Sequence, residues 1–295
     1  MYGCVPSYLT TSLGAYARYC GSPMILQYNQ KEKKYIKATW LDFANHIKWF
    51  VIYLFTVGTI QSFALPSHYQ PFGSFEDQAW YDPSRIVHPA QIGNNLVTGI
   101  LLQTTIAMAC EGLIVATVLL TGYKCETVME NPIFGATSPS EFWGKRWNRV
   151  VHSKLKRGVY IPLRKHAVPR ALAAGGAFLC SGLVHEWLLT FVLRPLPSEL
   201  GPDGSCESPL CYITPLGGAT SFFLWNTIII MLEYAIGGSK LVAQFVKAVP
   251  TPLRTVMLVM LALPIAHWFS EPYVMSNLFE HSELSLPLIK EIVAV

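Results

Sequence analysis

Long apolar stretches recur along the chain and alternate with shorter polar loops. A helix needs about 20 residues to cross the roughly 30 Å of hydrocarbon in a bilayer. Five stretches have this length and character, approximately residues 40–65, 96–122, 171–193, 214–236 and 255–275. The pattern predicts five membrane-spanning helices. Residues 1–28 are expected to form an interfacial or re-entrant piece, because Arg18, Gly21 and Pro23 interrupt their moderately apolar run.

The composition agrees with this pattern. Charged residues make up 14% of the 295 positions and hydrophobic residues 52%, whereas an ordinary soluble domain is about 25% charged. Such a chain cannot cover a globular surface with polar groups, so most of its exterior must face lipid. We therefore exclude soluble two-domain enzymes, disordered chains and disulfide-framework modules. The expected fold is an all-α, multi-pass transmembrane helical bundle that forms one membrane-embedded domain over residues 1–295.

Basic residues are concentrated in alternate loops. The segment 123–170 holds ten Lys and Arg residues against three acidic ones, whereas loop 66–95 holds one Arg against three acidic residues. Loops rich in Lys and Arg stay on the cytosolic side. The expected cytosolic parts are the N-terminus, segment 123–170 and loop 237–254. Loop 194–213 then lies on the opposite side, where Cys206 and Cys211 are equally compatible with a disulfide and with free thiols.

Six ionisable residues of the predicted spans are candidates for function, because charge inside a membrane is costly. They are Glu111, His185, Glu186, Glu233, His267 and Glu271. His267 and Glu271 are four residues apart on one helix face, so we interpret them as a structural pair at the luminal end of the last span. For Glu111 and Glu233, packing against a polar group of another helix is at least as good an interpretation as a functional one.

His185 lies in the sequence Ser181-Gly182-Leu183-Val184-His185-Glu186, in a span that opens with five small residues at 173–177. Small residues let a neighbouring backbone or a ligand come close. Ser181 precedes His185 by one helical turn and is placed to hydrogen-bond its ring. Sequestration from water favours the neutral imidazole, which can accept a proton. Taken alone, this histidine is as compatible with a structural role as with a catalytic one.

The segment upstream of this span carries a second pattern. It reads Asn131-Pro-Ile-Phe-Gly-Ala-Thr-Ser-Pro-Ser-Glu-Phe-Trp-Gly-Lys-Arg-Trp-Asn148, and Tyr160, Pro162 and Arg164 follow. Together with Ser-Gly-x-x-His-Glu at residues 181–186, this segment resembles the wax synthase-like branch of the membrane-bound O-acyltransferase superfamily. Members of that branch carry ATS…FW…RWN, then VY.P.R, then SG..HE. The resemblance is dense over residues 131–187 and extends to the other spans only in hydropathy.

The resemblance implies a long-chain-alcohol O-fatty-acyltransferase of the endoplasmic reticulum membrane, with a helical bundle of the membrane-bound O-acyltransferase type. It implies that His185 is the general base that takes the proton from the acceptor hydroxyl. Asn148 matches the second polar residue, which either donates a hydrogen bond to the thioester oxygen or orients the histidine. His152, Ser181 and Glu186 are candidates for supporting roles, and structural roles stay open for His152 and Glu186. Acyl-CoA and a lipid alcohol are then the substrates, with no cofactor and no metal.

The segment 123–170 has further features that bear on the membrane. Its basic residues could attract the phosphates of coenzyme A or anionic lipid headgroups, although topology determination explains most of this charge. Trp143 and Trp147 are expected to anchor the segment at the membrane interface, as tryptophan often does. We therefore assign anion attraction to the segment as a whole and to no single lysine.

Several alternatives stay open. Within the enzyme class, the acceptor could be diacylglycerol, a sterol or a terpenoid alcohol. Outside it, buried Glu and His residues could form the proton path of a small transporter, although the sequence lacks the inverted repeats that this class often carries. Superfamily members usually have more helices ahead of the motif, so this chain is either a short member or lacks its N-terminal part. Membrane lipids are expected partners and nucleic acid is not, and the oligomeric state stays open.

Overall fold

The computed structural model describes residues 24–64, 69–75, 77–193, 215–276 and 278. Its helices in these ranges are α1 (Trp40–Ala64), α2 (Pro83–Ile86), α3 (Pro89–Thr121), α4 (Pro132–Gly135), α5 (Pro139–Glu141), α6 (Arg149–Leu155), α7 (Ile161–Lys165), α8 (Arg170–Val192), α9 (Gly218–Ile236), α10 (Lys240–Ala248), α11 (Thr251–Ala262) and α12 (His267–Met275). A short antiparallel hairpin, β1 (Tyr28–Asn29) and β2 (Lys34–Tyr35), precedes α1. The pair Cys206 and Cys211 and the interfacial piece predicted at the N-terminus, up to residue 23, lie outside the described residues.

Four of the predicted spans are continuous helices that are long and apolar enough to cross a membrane, namely α1, α3, α8 and α9. α3 begins earlier than predicted, at Pro89, because proline is well suited to the first helical turn, where its missing N–H is not needed. In the fifth region, the segment Thr251–Ile265 meets α12 at a bend of 61°. The fifth predicted span, over residues 255–275, is therefore a bent pair of helices, and the multi-pass helical fold is confirmed.

The bend in the fifth region coincides with Pro264. Proline has no N–H to donate, and its ring collides with the helical carbonyl one turn earlier. Leu263–Ile265 accordingly forms a 3₁₀ turn. Asn95 of α3 donates its side-chain amide to the carbonyl of Leu263 at 2.7 Å. The same carbonyl accepts from the N–H of Ala266 at 3.1 Å within the 3₁₀ turn, so Asn95 is a second donor that ties the bend to α3.

α1 and α3 pack side by side and are joined by two polar links. Nδ1 of His46 on α1 lies 2.6 Å from Oε2 of Glu111 on α3. Lys124, just beyond the end of α3, donates to Asp42 of α1 at 2.6 Å. Glu111 thus has the polar partner on another helix that its structural interpretation requires.

α8 and α9 form a close antiparallel pair. The guanidinium of Arg170, at the start of α8, lies over the ring of Tyr234, near the end of α9, at 4.5 Å. Farther along α8, Gly182 faces Thr220 in the first turn of α9, and a Cβ at Gly182 would lie 2.8 Å from the Cα of Thr220. Glycine at this position therefore sets how closely the two backbones approach.

A buried polar cluster lies where α2, α3 and α12 meet. We call it the distal cluster, and its members are Arg85, Gln91, Asn95, His267 and Glu271. Nη1 of Arg85 lies 3.2 Å from Oε2 of Glu271, and Nε of Arg85 donates to Gln91 at 3.1 Å. Nε2 of His267 donates to the carbonyl of Trp80 at 3.0 Å.

The distal cluster corrects the predicted pairing of His267 with Glu271. The two residues share α12, but each side chain is engaged by a partner from the region before α3. A buried carboxylate is stabilised most by a cation, which Arg85 supplies and a neutral imidazole does not. The residues are structural partners of α2 and its flanking loop, not of each other.

Candidate active site

His185 lies on α8 with one ring nitrogen engaged. Its Nδ1 is 2.7 Å from the backbone oxygen of Ser181. Because a carbonyl oxygen only accepts, Nδ1 must carry the proton, and Nε2 of the neutral ring is then an unprotonated acceptor. The partner is the carbonyl of Ser181 and not its hydroxyl, so a substitution that keeps the helical backbone keeps this bond.

Two phenylalanines pack against the ring of His185. The centroid of Phe223, on α9, lies 4.9 Å away, and that of Phe269, on α12, lies 5.2 Å away. Phe269 also packs against Phe223, at 5.7 Å. Three helices that are distant in sequence thus hold the imidazole in an apolar, aromatic environment.

Trp143 brings the upstream motif to this aromatic environment. It lies in a π-helical turn, Phe142–Arg146, and its ring packs against Phe178 at 5.6 Å and Phe223 at 5.8 Å. Its indole N–H donates to Asn226 at 3.0 Å. The predicted anchoring of Trp143 at the membrane interface stays a prediction. The tryptophan packs against α8 and α9, one ring away from His185.

A network of hydrogen bonds fixes the motif segment around Trp143. Glu141 accepts from the backbone and hydroxyl of Thr137, both at 2.9 Å, and from Arg146 at 2.8 Å. Burial raises the pKa of Glu141, but these hydrogen bonds outweigh it and hold the pKa below its ordinary value. Ser140 donates its N–H and its hydroxyl to Glu233 of α9, at 2.8 and 2.7 Å. The predicted polar partner of Glu233 is thereby identified.

Asn148 caps the helix that follows the motif. Its backbone has a positive φ of 20°, and its Oδ1 accepts from the N–H of Val151 at 3.1 Å at the start of α6. Within the described part of the chain, its Nδ2 makes no hydrogen bond, and no hydrogen bond joins Asn148 to His185. The amide oxygen is therefore committed to capping, and the amide N–H groups are available to a ligand.

Within the described residues, no hydrogen bond joins Glu186 or His152 to the ring of His185. Oε1 of Glu186 accepts from the N–H of Thr220 at 2.9 Å, at the first turn of α9, where a helix favours negative charge. His152 is partly buried on α6, and burial lowers its pKa, aided by the charges of Lys156 and Arg149. Glu186 thus ties α8 to α9. The supporting role considered for His152 stays a prediction.

Several basic residues of segment 123–170 are neutralised by neighbours. Lys124 pairs with Asp42, Arg146 with Glu141 and Arg149 with Glu130, at 2.6, 2.8 and 2.7 Å. Lys154, Lys156 and Arg157 are exposed and make no ion pair within the described ranges. The three side chains at residues 154–157 are therefore the densest set available to an anion in this segment.

The motif segment is similar to a known protein family. Residues 125–203 match the model of the membrane bound O-acyl transferase family. This range contains Trp143, Asn148 and His185. Phe223 and Phe269, which pack against the ring of His185, lie outside it. The resemblance inferred from the motifs is confirmed.

Several proteins of Arabidopsis thaliana are similar to parts of this chain. The chain is 30% identical over 157 residues to probable long-chain-alcohol O-fatty-acyltransferase 3, covering 51% of this chain and 40% of that protein. It is 40% identical over 76 residues to probable long-chain-alcohol O-fatty-acyltransferase 9, covering 23% and 22%. It is 38% identical over 73 residues to acyl-CoA–sterol O-acyltransferase 1, covering 23% and 21%. The chain thus spans at most about two fifths of the length of these curated relatives.

Proposed function

We propose that this chain is an acyl-CoA-dependent O-acyltransferase that joins a long-chain acyl group to a fatty alcohol, giving a wax ester. The observation that carries the proposal is the ring of His185. Its Nδ1 is committed to the carbonyl of Ser181, and its Nε2 is left as an acceptor in an aromatic environment. The similarity to long-chain-alcohol O-fatty-acyltransferases supports the reaction class.

Acyl transfer from a thioester to an alcohol needs a base at this position. The hydroxyl is a weak nucleophile, so Nε2 of His185 removes its proton while the oxygen attacks the thioester carbon. The tetrahedral oxyanion then collapses, the C–S bond breaks, and the proton passes from the imidazole to the sulfur of coenzyme A. The ester and the thiol leave, and the ring returns to its starting state.

Asn148 supplies the donor that the oxyanion needs. Preplaced hydrogen-bond donors stabilise the charge that develops on the carbonyl oxygen. Because Oδ1 of Asn148 is held by the N–H of Val151, the amide N–H groups are turned away from the cap and are free to meet that oxygen. Of the two roles considered for Asn148, this contact pattern supports the donor role over the orientation of His185.

The acyl donor brings several phosphate charges to the cytosolic side. Lys154, Lys156 and Arg157 are exposed and not neutralised by acidic neighbours within the described ranges, so they are our candidates for binding those phosphates. The charged groups of coenzyme A would then stay in water while the acyl chain enters the membrane. The endoplasmic reticulum is proposed as the compartment on the family resemblance alone.

A sterol is the second candidate acceptor. One relative is named as an acyl-CoA–sterol O-acyltransferase, and the chain is 38% identical to it over 73 residues. The roles of His185 and Asn148 are unchanged under this alternative, because the attacking group is again a hydroxyl. Only the shape of the acceptor pocket would differ.

An acceptor panel tests the proposal. Microsomes from a host that lacks neutral-lipid synthesis would express the chain and receive labelled long-chain acyl-CoA with a fatty alcohol, diacylglycerol or a sterol. We expect labelled wax ester from the wild type and a loss of product in His185→Ala. Product from a sterol alone, also lost in the variant, would keep the mechanism and replace the acceptor.

The matched control is His166→Ala. His166 is exposed at the end of α7, on the same chain and outside the aromatic environment. It should retain wild-type product formation at equal expression. Undiminished product in His185→Ala would remove the assignment of the base.

A further inference from the structure

We propose that α10 is an interfacial helix that binds the headgroups of anionic phospholipids on the cytosolic leaflet. The proposal does not depend on the acyl transfer reaction. It rests on the two faces of the helix, on its place between two membrane segments and on the charge around it.

The side chains of α10 divide sharply between two faces. At about 100° per residue, Lys240 and Lys247 fall on one face, and Val242, Phe245 and Val246 fall on the opposite one. Phe245 and Val246 are 42% and 43% exposed, so the described parts of the chain leave much of this apolar face uncovered. A short helix with this division is typical of segments that lie in the membrane interface.

The chain connectivity places α10 at a membrane surface. α9 ends at Ile236 and α11 begins at Thr251, and both belong to membrane segments. Because α8 and α9 are antiparallel, α10 lies on the same side as the residues before α8, which is the side of segment 123–170. The hydroxyl of Ser239 accepts from the N–H of Val242 at 3.2 Å, so the helix is capped where it starts.

The positive charge around α10 favours anionic lipid over lipid without net charge. Between Glu233 and Glu271 the chain carries Lys240, Lys247 and Arg254 and no acidic residue. The apolar face of α10 can enter any leaflet, but the lysines gain energy only where the headgroups carry net negative charge. Each lysine near such a surface strengthens binding about fivefold. The charge therefore distinguishes phosphatidylserine from phosphatidylcholine.

The position of α10 links this surface to the motif segment. α11 follows α10 after a short connection and packs against α4 (Pro132–Gly135), where the motif begins. Lipid bound at α10 is thus one helix away from the segment that carries Trp143 and Asn148. This arrangement makes the lipid a neighbour of the site, whatever reaction the site performs.

Photo-crosslinking in nanodiscs tests the proposal. The full chain would be reconstituted in phosphatidylcholine with a small fraction of photoactivatable phosphatidylserine or photoactivatable phosphatidylcholine, and lipid adducts would be mapped by mass spectrometry. We expect the phosphatidylserine probe to label residues 240–254 several-fold more than the phosphatidylcholine probe. Lys240→Gln with Lys247→Gln should lower the phosphatidylserine adducts by that same several-fold factor, towards the level of the phosphatidylcholine probe.

A matched double variant, Lys33→Gln with Lys37→Gln, removes two exposed lysines elsewhere on the same expected side. It should leave labelling of residues 240–254 unchanged. Equal labelling by the two probes, or an equal loss in the control, would overturn the proposal.

Discussion

The two histidines in the membrane-embedded part of the bundle that sequence analysis singled out, His185 and His267, are held in different ways. In the distal cluster, Nε2 of His267 donates to the carbonyl of Trp80, and Nδ1 lies 3.4 Å from the side-chain amide of Asn95. In the candidate site, Nδ1 of His185 is engaged, and within the described residues its Nε2 makes no hydrogen bond. A ring with both nitrogens engaged cannot take a proton without losing a contact, whereas a ring with one bare nitrogen can. The neighbours, and not the residue type, separate a structural histidine from a candidate base.

Substitution of each of the two histidines is expected to give the largest effects. We expect His185→Ala to lower the rate of acyl transfer by about 10²–10⁴-fold, because the base is lost, and to leave the thermal unfolding midpoint close to that of the wild type. His267→Ala should instead lower the thermal unfolding midpoint, and by more than His185→Ala does. Initial rates with labelled acyl-CoA and unfolding in the same detergent would be compared. A rate in His185→Ala equal to that of the wild type would contradict the comparison.

The next largest effect is a loss of stability, which is expected when the ion pair of the distal cluster is broken. Arg85→Gln leaves the carboxylate of Glu271 buried without its cation, which typically costs about 3–5 kcal/mol. Arg85→Gln with Glu271→Gln removes both charges and should recover part of that loss. The free energy of unfolding would be measured for all three chains. A double variant less stable than Arg85→Gln would contradict the buried-pair interpretation.

Asn148→Asp separates capping from oxyanion stabilisation. Aspartate keeps the oxygen that accepts from the N–H of Val151 and removes the amide donors. Loss of one such donor costs about 10²–10³ in kcat, so we expect a fall of that size with little change in stability. Retention of the wild-type kcat would show that the N–H groups of Asn148 do not act in the reaction.

Trp143→Phe addresses the link between the motif and the aromatic environment. The variant leaves Oδ1 of the buried Asn226 without its donor, which costs about 1–3 kcal/mol. Trp143→Phe with Asn226→Leu removes both polar groups and should recover some stability. Unfolding midpoints would be compared, and no change in Trp143→Phe would mean that the hydrogen bond contributes nothing.

The smallest effect concerns the pH dependence of the motif segment. Since the folded pKa of Glu141 lies below its ordinary value of 4.5, its contribution is fully present above that value and is lost as the pH falls through the folded pKa. Glu141→Gln should therefore be less stable than the wild type at neutral pH, and the difference should shrink under acid conditions. Unfolding midpoints of the two chains across this range would measure it, and a constant difference would contradict the assignment.

The sequence predicts the spans and His185 for clear physical reasons. Long apolar runs specify helices in lipid, and a charged or ionisable residue within such a run is rare enough to stand out. The partners of His185 could not be predicted in this way. Phe223 and Phe269 are aromatic residues in apolar segments, and nothing local separates them from aromatics that face lipid.

The distal cluster and the bend at Pro264 could not be predicted from the sequence, because both depend on residues from other parts of the chain. The spacing of His267 and Glu271 satisfies a helical pair, but Arg85 and Trp80 reach them from a different part of the chain. Proline within an apolar run is compatible with a straight, kinked or broken helix until the neighbouring donor, here Asn95, is known. Tertiary partners decide these features.

Nitrogen-15 spectroscopy of histidine-labelled chain in nanodiscs tests the central claim most directly. The difference between wild type and His185→Gln would isolate the ring of His185 at neutral pH. The account predicts a neutral ring that is protonated at Nδ1 and bare at Nε2, with the Nε2 signal moving when a long-chain alcohol is added. A ring protonated at Nε2, or at both nitrogens, would contradict it.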